Sequence, residues 1–154
     1  MKTKFLALLL VFFISCSDDD EQVDYISLND QEIQDYLEAN DLQAEKSVSG
    51  LYYVVDNEGD GAQPKTTDQV RVAYKGYYTD GEVFDQSPAD GISFSLRQVI
   101  PGWTEGITYF KEGGNGILLV PSHLGYGFND YRGIPGGSVL IFEINLIEVV
   151  DSSN

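Results

Sequence analysis

Between Asn29 and Asp41 the chain reads NDQEIQDYLEAND, with Ile33, Tyr36 and Leu37 at i, i+3 and i+4. That spacing puts one narrow apolar stripe on a helix of about three turns. Asn29 and Glu32 stand at capping-box spacing, Asn29 accepting from the amide three residues on and Glu32 reaching back, so the helix is expected to begin at Asn29. Asn40 is the expected stop, because asparagine tolerates the left-handed conformation. A helix this short needs support, so the stripe is expected to dock on the rest of the chain or on a second copy.

After Gly50 the hydrophobic period changes to two. Leu51, Tyr53 and Val55 alternate with Tyr52, Val54 and Asp56, and Val70, Val72 and Tyr74 alternate with Arg71, Ala73 and Lys75. Both runs predict strands, the first closed by NEGDGAQP and the second ending at Gly76. Asp80-Gly81 marks a turn into a strand carrying Val83 and Phe84, and Ile92, Phe94 and Leu96 mark another. Pro101 opens a short helical stretch, PGWTEGITYF, with Trp103 in its first turn. Gly116 to Val120 reads as a buried strand. The last strand runs from Ser138 to Val149, with Leu140, Phe142, Ile144 and Leu146 on one face and Glu143 and Asn145 on the other. Between them, the seventeen residues PSHLGYGFNDYRGIPGG have no periodicity, as befits a functional loop. The expected class is α+β: a bent antiparallel sheet of five or six strands wrapped around one short helix.

The N-terminus is of another kind. Lys2 and Lys4 precede an apolar run from Phe5 to Ile14, then Ser15 and Cys16. As a helix that run would cover only ~15 Å, half a bilayer core, so it reads as a signal peptide rather than a spanning segment. Cys16 is the only cysteine, which excludes an internal disulfide and a thiolate metal cluster. Its setting resembles the lipobox of bacterial lipoproteins, with Phe13 where those usually carry leucine. The resemblance implies a diacylated Cys16 anchoring the protein to a membrane of the cell envelope, the outer membrane on its periplasmic or surface face. The acidic block Ser17 to Glu21 is similar to the export signal of surface lipoproteins and otherwise reads as a solvated tether. The expected divisions are a signal peptide over 1–15, a tether over 16–28, a helix and linker over 29–46, and a domain over 47–154.

Composition narrows the function. The 154 residues include 25 acidic and 9 basic ones, a formal charge of −16 that repels nucleic acid. Sixteen glycines, ten tyrosines and eight phenylalanines suit a β-rich fold with tight turns. No serine sits in a nucleophile elbow, His123 is the only histidine and reads as a loop residue, and neither a metal-binding constellation nor a cofactor motif is present.

Five segments, VAYKG from Val72, DGEVFDQS from Asp80, VIPGWTEG from Val99, LGYG from Leu124 and IPGGSVLIFEINL from Ile134, occur in the order and near the spacing of the FKBP family. From Gly50 to Val149 the chain resembles these peptidyl-prolyl cis-trans isomerases. The resemblance implies a half-barrel sheet and helix enclosing an aromatic pocket for a proline ring, with no cofactor. In it Trp103 would be the floor, and Tyr74, Phe84, Val99, Ile100 and Phe142 the walls. Tyr126 would offer its phenol to a substrate carbonyl, the Ile100 N–H would bind another, and Asp85 would stand at the rim. Ile92 occupies a wall position that is usually aromatic, Tyr131 is the residue expected to replace that surface, and the family's arginine after the aspartate is missing. Proline-containing polypeptides and immunosuppressant macrolides are the implied ligands. Two other readings use the same residues: a chaperone or binding module without turnover, and a carbohydrate platform made of tyrosines.

Overall fold

The computed structural model describes residues 23–150. The expected signal peptide, Cys16 and the acidic block lie outside the described residues.

Seven strands form one antiparallel sheet: β1 (Glu45–Lys46), β2 (Tyr52–Asn57), β3 (Gln69–Tyr77), β4 (Val83–Gln86), β5 (Ile92–Ser95), β6 (Asn115–Val120) and β7 (Leu140–Val150). The order is β1-β2-β6-β7-β3, and β4 and β5 share the remaining edge of β3. β5 pairs with Gln69 to Val72 and β4 with Lys75 to Tyr77. Between these stretches the backbone of Tyr74 would be unpaired, but the Ser87 hydroxyl accepts from its N–H at 2.9 Å and the Ser87 N–H donates to its carbonyl at 3.0 Å. That crossing fixes the backbone from which the Tyr74 ring projects.

A helix covers each face. α1 (Tyr25–Ala39) lies on one side and α2 (Pro101–Gly106), continued by a single 3₁₀ turn over Ile107–Tyr109, on the other. Strand alternation sends Leu118, Val120, Leu140 and Phe142 toward α2, and Leu119 and Ile141 toward α1. Ile33 inserts fully between Tyr52, Tyr77, Leu119 and Ile141. Burying it stabilises the docked helix by about 1.5–3 kcal/mol. The stripe Ile33, Tyr36, Leu37 thus docks on the chain's own sheet.

The helix starts a turn earlier than its sequence spacing predicts. Asp24 is the N-cap, its carboxylate accepting from the Ser27 N–H at 3.2 Å and the Ser27 hydroxyl at 2.6 Å. Asn29 is therefore an interior residue, and Glu32 accepts from the Thr79 hydroxyl instead of reaching back. At the other end Asn40 is the C-cap, but at φ −106; the left-handed residue is Asp41, at φ 52. β1, a two-residue charged strand, has no hydrophobic pattern to announce it; it pairs with Tyr52 and Tyr53, and Lys46 forms an ion pair with Asp30.

Candidate active site

Pro101 opens α2 with its fixed φ, and Ile100 before it is extended (φ −60, ψ 148), so Trp103 falls in the first turn facing the sheet. Trp103 is 4% exposed. Three rings meet it nearly at right angles: Tyr74 at 5.1 Å, Phe94 at 5.3 Å and Phe142 at 5.3 Å. Phe84 continues the wall, edge-on to Phe142 at 5.6 Å. Such edge-to-face pairs contribute about 0.5–1.5 kcal/mol each beyond their burial. Gly76 makes the arrangement possible. A Cβ there would lie 2.7 Å from the tip of the Phe84 ring and 3.0 Å from Phe142, so both rings occupy space that any side chain would take.

The rings enclose a cavity of about 350 Å³ lined by Tyr74, Phe84, Asp85, Phe94, Gln98, Val99, Ile100, Trp103, Tyr126 and Phe142. Eight residues singled out from sequence meet here: Tyr74, Phe84, Asp85, Val99, Ile100, Trp103, Tyr126 and Phe142. Ile92 and Tyr131 do not line it. Ile92 begins β5 opposite Val72 and is 40% exposed outside the cavity. The aromatic wall expected there comes from Phe94, two residues along and on the same face of the strand. Tyr131 stands behind the rim, stacked on Tyr126 with centroids 5.4 Å apart and carrying Arg132 on its ring. Phe94 was legible as a strand residue, and its same-face relation to Ile92 was the signal for its role; Gln98 offered none.

Asp85 is the one charged group of the lining, and it accepts a hydrogen bond of 2.6 Å from the Tyr74 hydroxyl. Burial, then that bond to a carboxylate, raises the Tyr74 phenol well above the usual tyrosine value. Burial also raises Tyr126, reinforced by the negative charge of Asp85 and by Tyr131. Both phenols therefore stay protonated at neutral pH. Tyr74 spends its proton on Asp85, which leaves Tyr126, 41% exposed, as the donor facing an incoming group. Ile100 supplies a second donor: as N-cap its carbonyl accepts from Trp103 and Thr104, while its own N–H precedes the helical ladder. The indole Nε1 of Trp103 is buried without an acceptor among the described residues. His123 lies elsewhere, its Nε2 2.9 Å from the Ser49 carbonyl. The arrangement is an aromatic-walled box with two neutral donors in its lining, suited to holding an apolar ring and orienting flanking carbonyls.

Residues 61–147 match the model of the family described as FKBP-type peptidyl-prolyl cis-trans isomerase. Among curated proteins, the chain is similar to the FKBP-type peptidyl-prolyl cis-trans isomerase FkpA of Aeromonas hydrophila, 41% identical over 125 residues, covering 79% of this chain and 47% of that protein. To FkpA of Escherichia coli it is 42% identical over 125 residues, covering 79% and 46%. It thus spans about half the length of these relatives. Among solved structures, the crystal structure of Escherichia coli FkpA superposes with a TM-score of 0.72 at 39% identity, covering 80% of this chain and 60% of that one. A peptidyl-prolyl cis-trans isomerase from Pseudomonas syringae superposes with a TM-score of 0.70 at 27% identity, covering 81% and 96%.

Proposed function

Because this chain belongs to the family of FKBP-type peptidyl-prolyl cis-trans isomerases, we propose that its cavity takes a proline ring and catalyses isomerisation of X-Pro bonds in exported polypeptides. The carrying observation is the aromatic box floored by Trp103, with Tyr126 and the N-cap residue Ile100 in its lining. Rotation about an amide costs ~18–20 kcal/mol because resonance is lost. No bond is made or broken, so no nucleophile is needed. The planar amide is the more charge-separated form, and a water-poor aromatic cavity disfavours it relative to the twisted one. Hydrogen bonds from Tyr126 and the Ile100 N–H to the flanking carbonyls hold the chain in a bent pose and offset the entropy of ordering it. An immunosuppressant macrolide would occupy the same cavity and compete.

A binding module without turnover drew its support from an aliphatic wall at Ile92, and Phe94 removes that support. A carbohydrate platform is disfavoured because Tyr52 and Tyr77 are buried beneath α1.

The full chain should accelerate cis-trans conversion of a proline peptide in a protease-coupled assay; an uncatalysed rate would overturn the reading. Turnover should be flat from about pH 6 to 8, since no side chain exchanges a proton in the reaction. The alkaline side has a definite sign. Tyr74, Tyr77 and Tyr126 are raised by burial, and Tyr109 is pushed up to about 12 by burial and by Glu105. Their neutral forms favour the fold, so this contribution is whole below the unfolded tyrosine value of ~10 and fades as pH climbs toward the raised values. Activity and structure should therefore decline together only above about pH 10. A bell-shaped profile near neutrality that His123→Ala removes would contradict the mechanism.

The anchor is part of the proposal. Cys16→Ser should leave the domain folded and move it from the membrane to the soluble fraction, because two or more acyl chains are what hold such a protein stably. Unchanged partition would remove the lipoprotein reading and leave the isomerase reading standing.

A further inference from the structure

We propose that Asn29 is a positioning residue that holds the loop bearing Tyr126, so that α1 is a working part of the active site. The inference rests on the role given to Tyr126 above. Residues 121–139 leave β6, carry Tyr126 and return into β7. Their two ends come together at the base, where the Gly127 N–H donates to the Ser122 carbonyl at 2.8 Å and the Gly137 N–H to the Gly127 carbonyl at 2.9 Å. Asn29 is 2% exposed, and its amide spans both ends. Its Oδ1 accepts from the Ser122 N–H at 2.8 Å and the Ser122 hydroxyl at 2.5 Å, while its Nδ2 donates to the Gly137 carbonyl at 2.8 Å. A backbone N–H on one side and a carbonyl on the other dictate which way the amide points.

Asparagine is a poor choice for a helix interior, and a buried one is costly unless fully satisfied. Here both the oxygen and the nitrogen of the amide have a partner more than ninety residues away in sequence. Beside it Tyr25 stacks on Phe128 of the same loop, with centroids 5.3 Å apart. The helix thus grips the loop at its base and on its flank, two and more residues either side of Tyr126. Without the amide, Ser122 and Gly137 would each turn to water, and the base would open.

In the full chain, Asn29→Ala should speed amide hydrogen exchange at Gly127 and Gly137 at least about tenfold, with the amides between β6 and β7 keeping their protection. Its kcat/KM for a proline peptide should fall about tenfold, but less than about twofold when Tyr126 is already phenylalanine, since the effect runs through that phenol. Asn29→Asp keeps the shape and the acceptor toward Ser122 while setting an oxygen against the Gly137 carbonyl. It should loosen Gly137 more than Gly127, and it replaces the alanine variant should that one not fold. Unchanged exchange at both glycines, or an equal activity loss in both backgrounds, overturns the inference. A wild-type chain without turnover would instead overturn the proposed activity, and the exchange rates would still decide whether Asn29 holds the loop.

Discussion

Phe142→Ala is expected to abolish turnover and to lower stability by about 3–5 kcal/mol. The ring is 4% exposed and stands edge-on to Trp103 and to Phe84, with Tyr74 at 6.4 Å, so it closes the cavity between floor and wall. Its neighbours cannot collapse into the gap: Trp103 is held by α2, and Phe84 already lies over the bare Cα of Gly76. Water would enter, and the planar amide would regain the solvation that the cavity withholds. A domain of this size is stable by about 5–15 kcal/mol, so the variant should still fold at low temperature. Phe142→Leu separates the two effects, because it keeps most of the buried volume, and so costs less than the alanine variant, while losing the edge-to-face contacts, worth about 0.5–1.5 kcal/mol each. Urea unfolding and the coupled assay, run on both variants, check this. Retention of most activity by Phe142→Ala would show that the ring is core and nothing more.

Gly116→Ala should destabilise nearly as much from a site remote from the cavity, by about 3 kcal/mol. Gly116 lies in β6 opposite Val55 of β2 and Ile144 of β7. A Cβ there would come 2.0 Å from the Val54 carbonyl oxygen and 2.8 Å from the Phe110 ring. The first is backbone in a paired strand and the second a fully buried core ring, so neither can retreat. The strands must part instead. Chemical denaturation gives the number, and a change under about 0.5 kcal/mol, the level of an ordinary surface substitution, would mean that β2 does not approach β6 as described.

The strands were legible because burial on one face imposes a period of two, and Val70, Val72, Leu140, Phe142 and Leu146 obey it. Ile141 departs from the pattern for a reason no local window contains: α1 buries the opposite face at that point. The helix was legible from Ile33, Tyr36 and Leu37, but its start was not, since Asn29 fits a cap by spacing and is claimed by partners on the far side of the sequence. The site followed the same division. Trp103, Tyr74 and Asp85 sit in motifs that fix them, whereas the choice between Ile92 and Phe94 depended on how far along β3 the short strand lies. β1 has only Glu45 and Lys46, and hydrogen bonding rather than hydrophobicity makes it a strand.

β7 lies at the centre of the sheet and yet is the last of the described elements to leave the ribosome. Until it arrives, β3 and β6 have no neighbour on the edges that will face it, and Gln69 waits for Val150. α1, the first of the described elements to be made, docks in part on Ile141 and grips Gly137, so its seat too is incomplete until then. Contacts of such long range are slow to form and reward the chain only once all the partners are present. The complete sheet is thus withheld until synthesis has passed residue 150. Until then the strands on either side of β7 have nothing to join them.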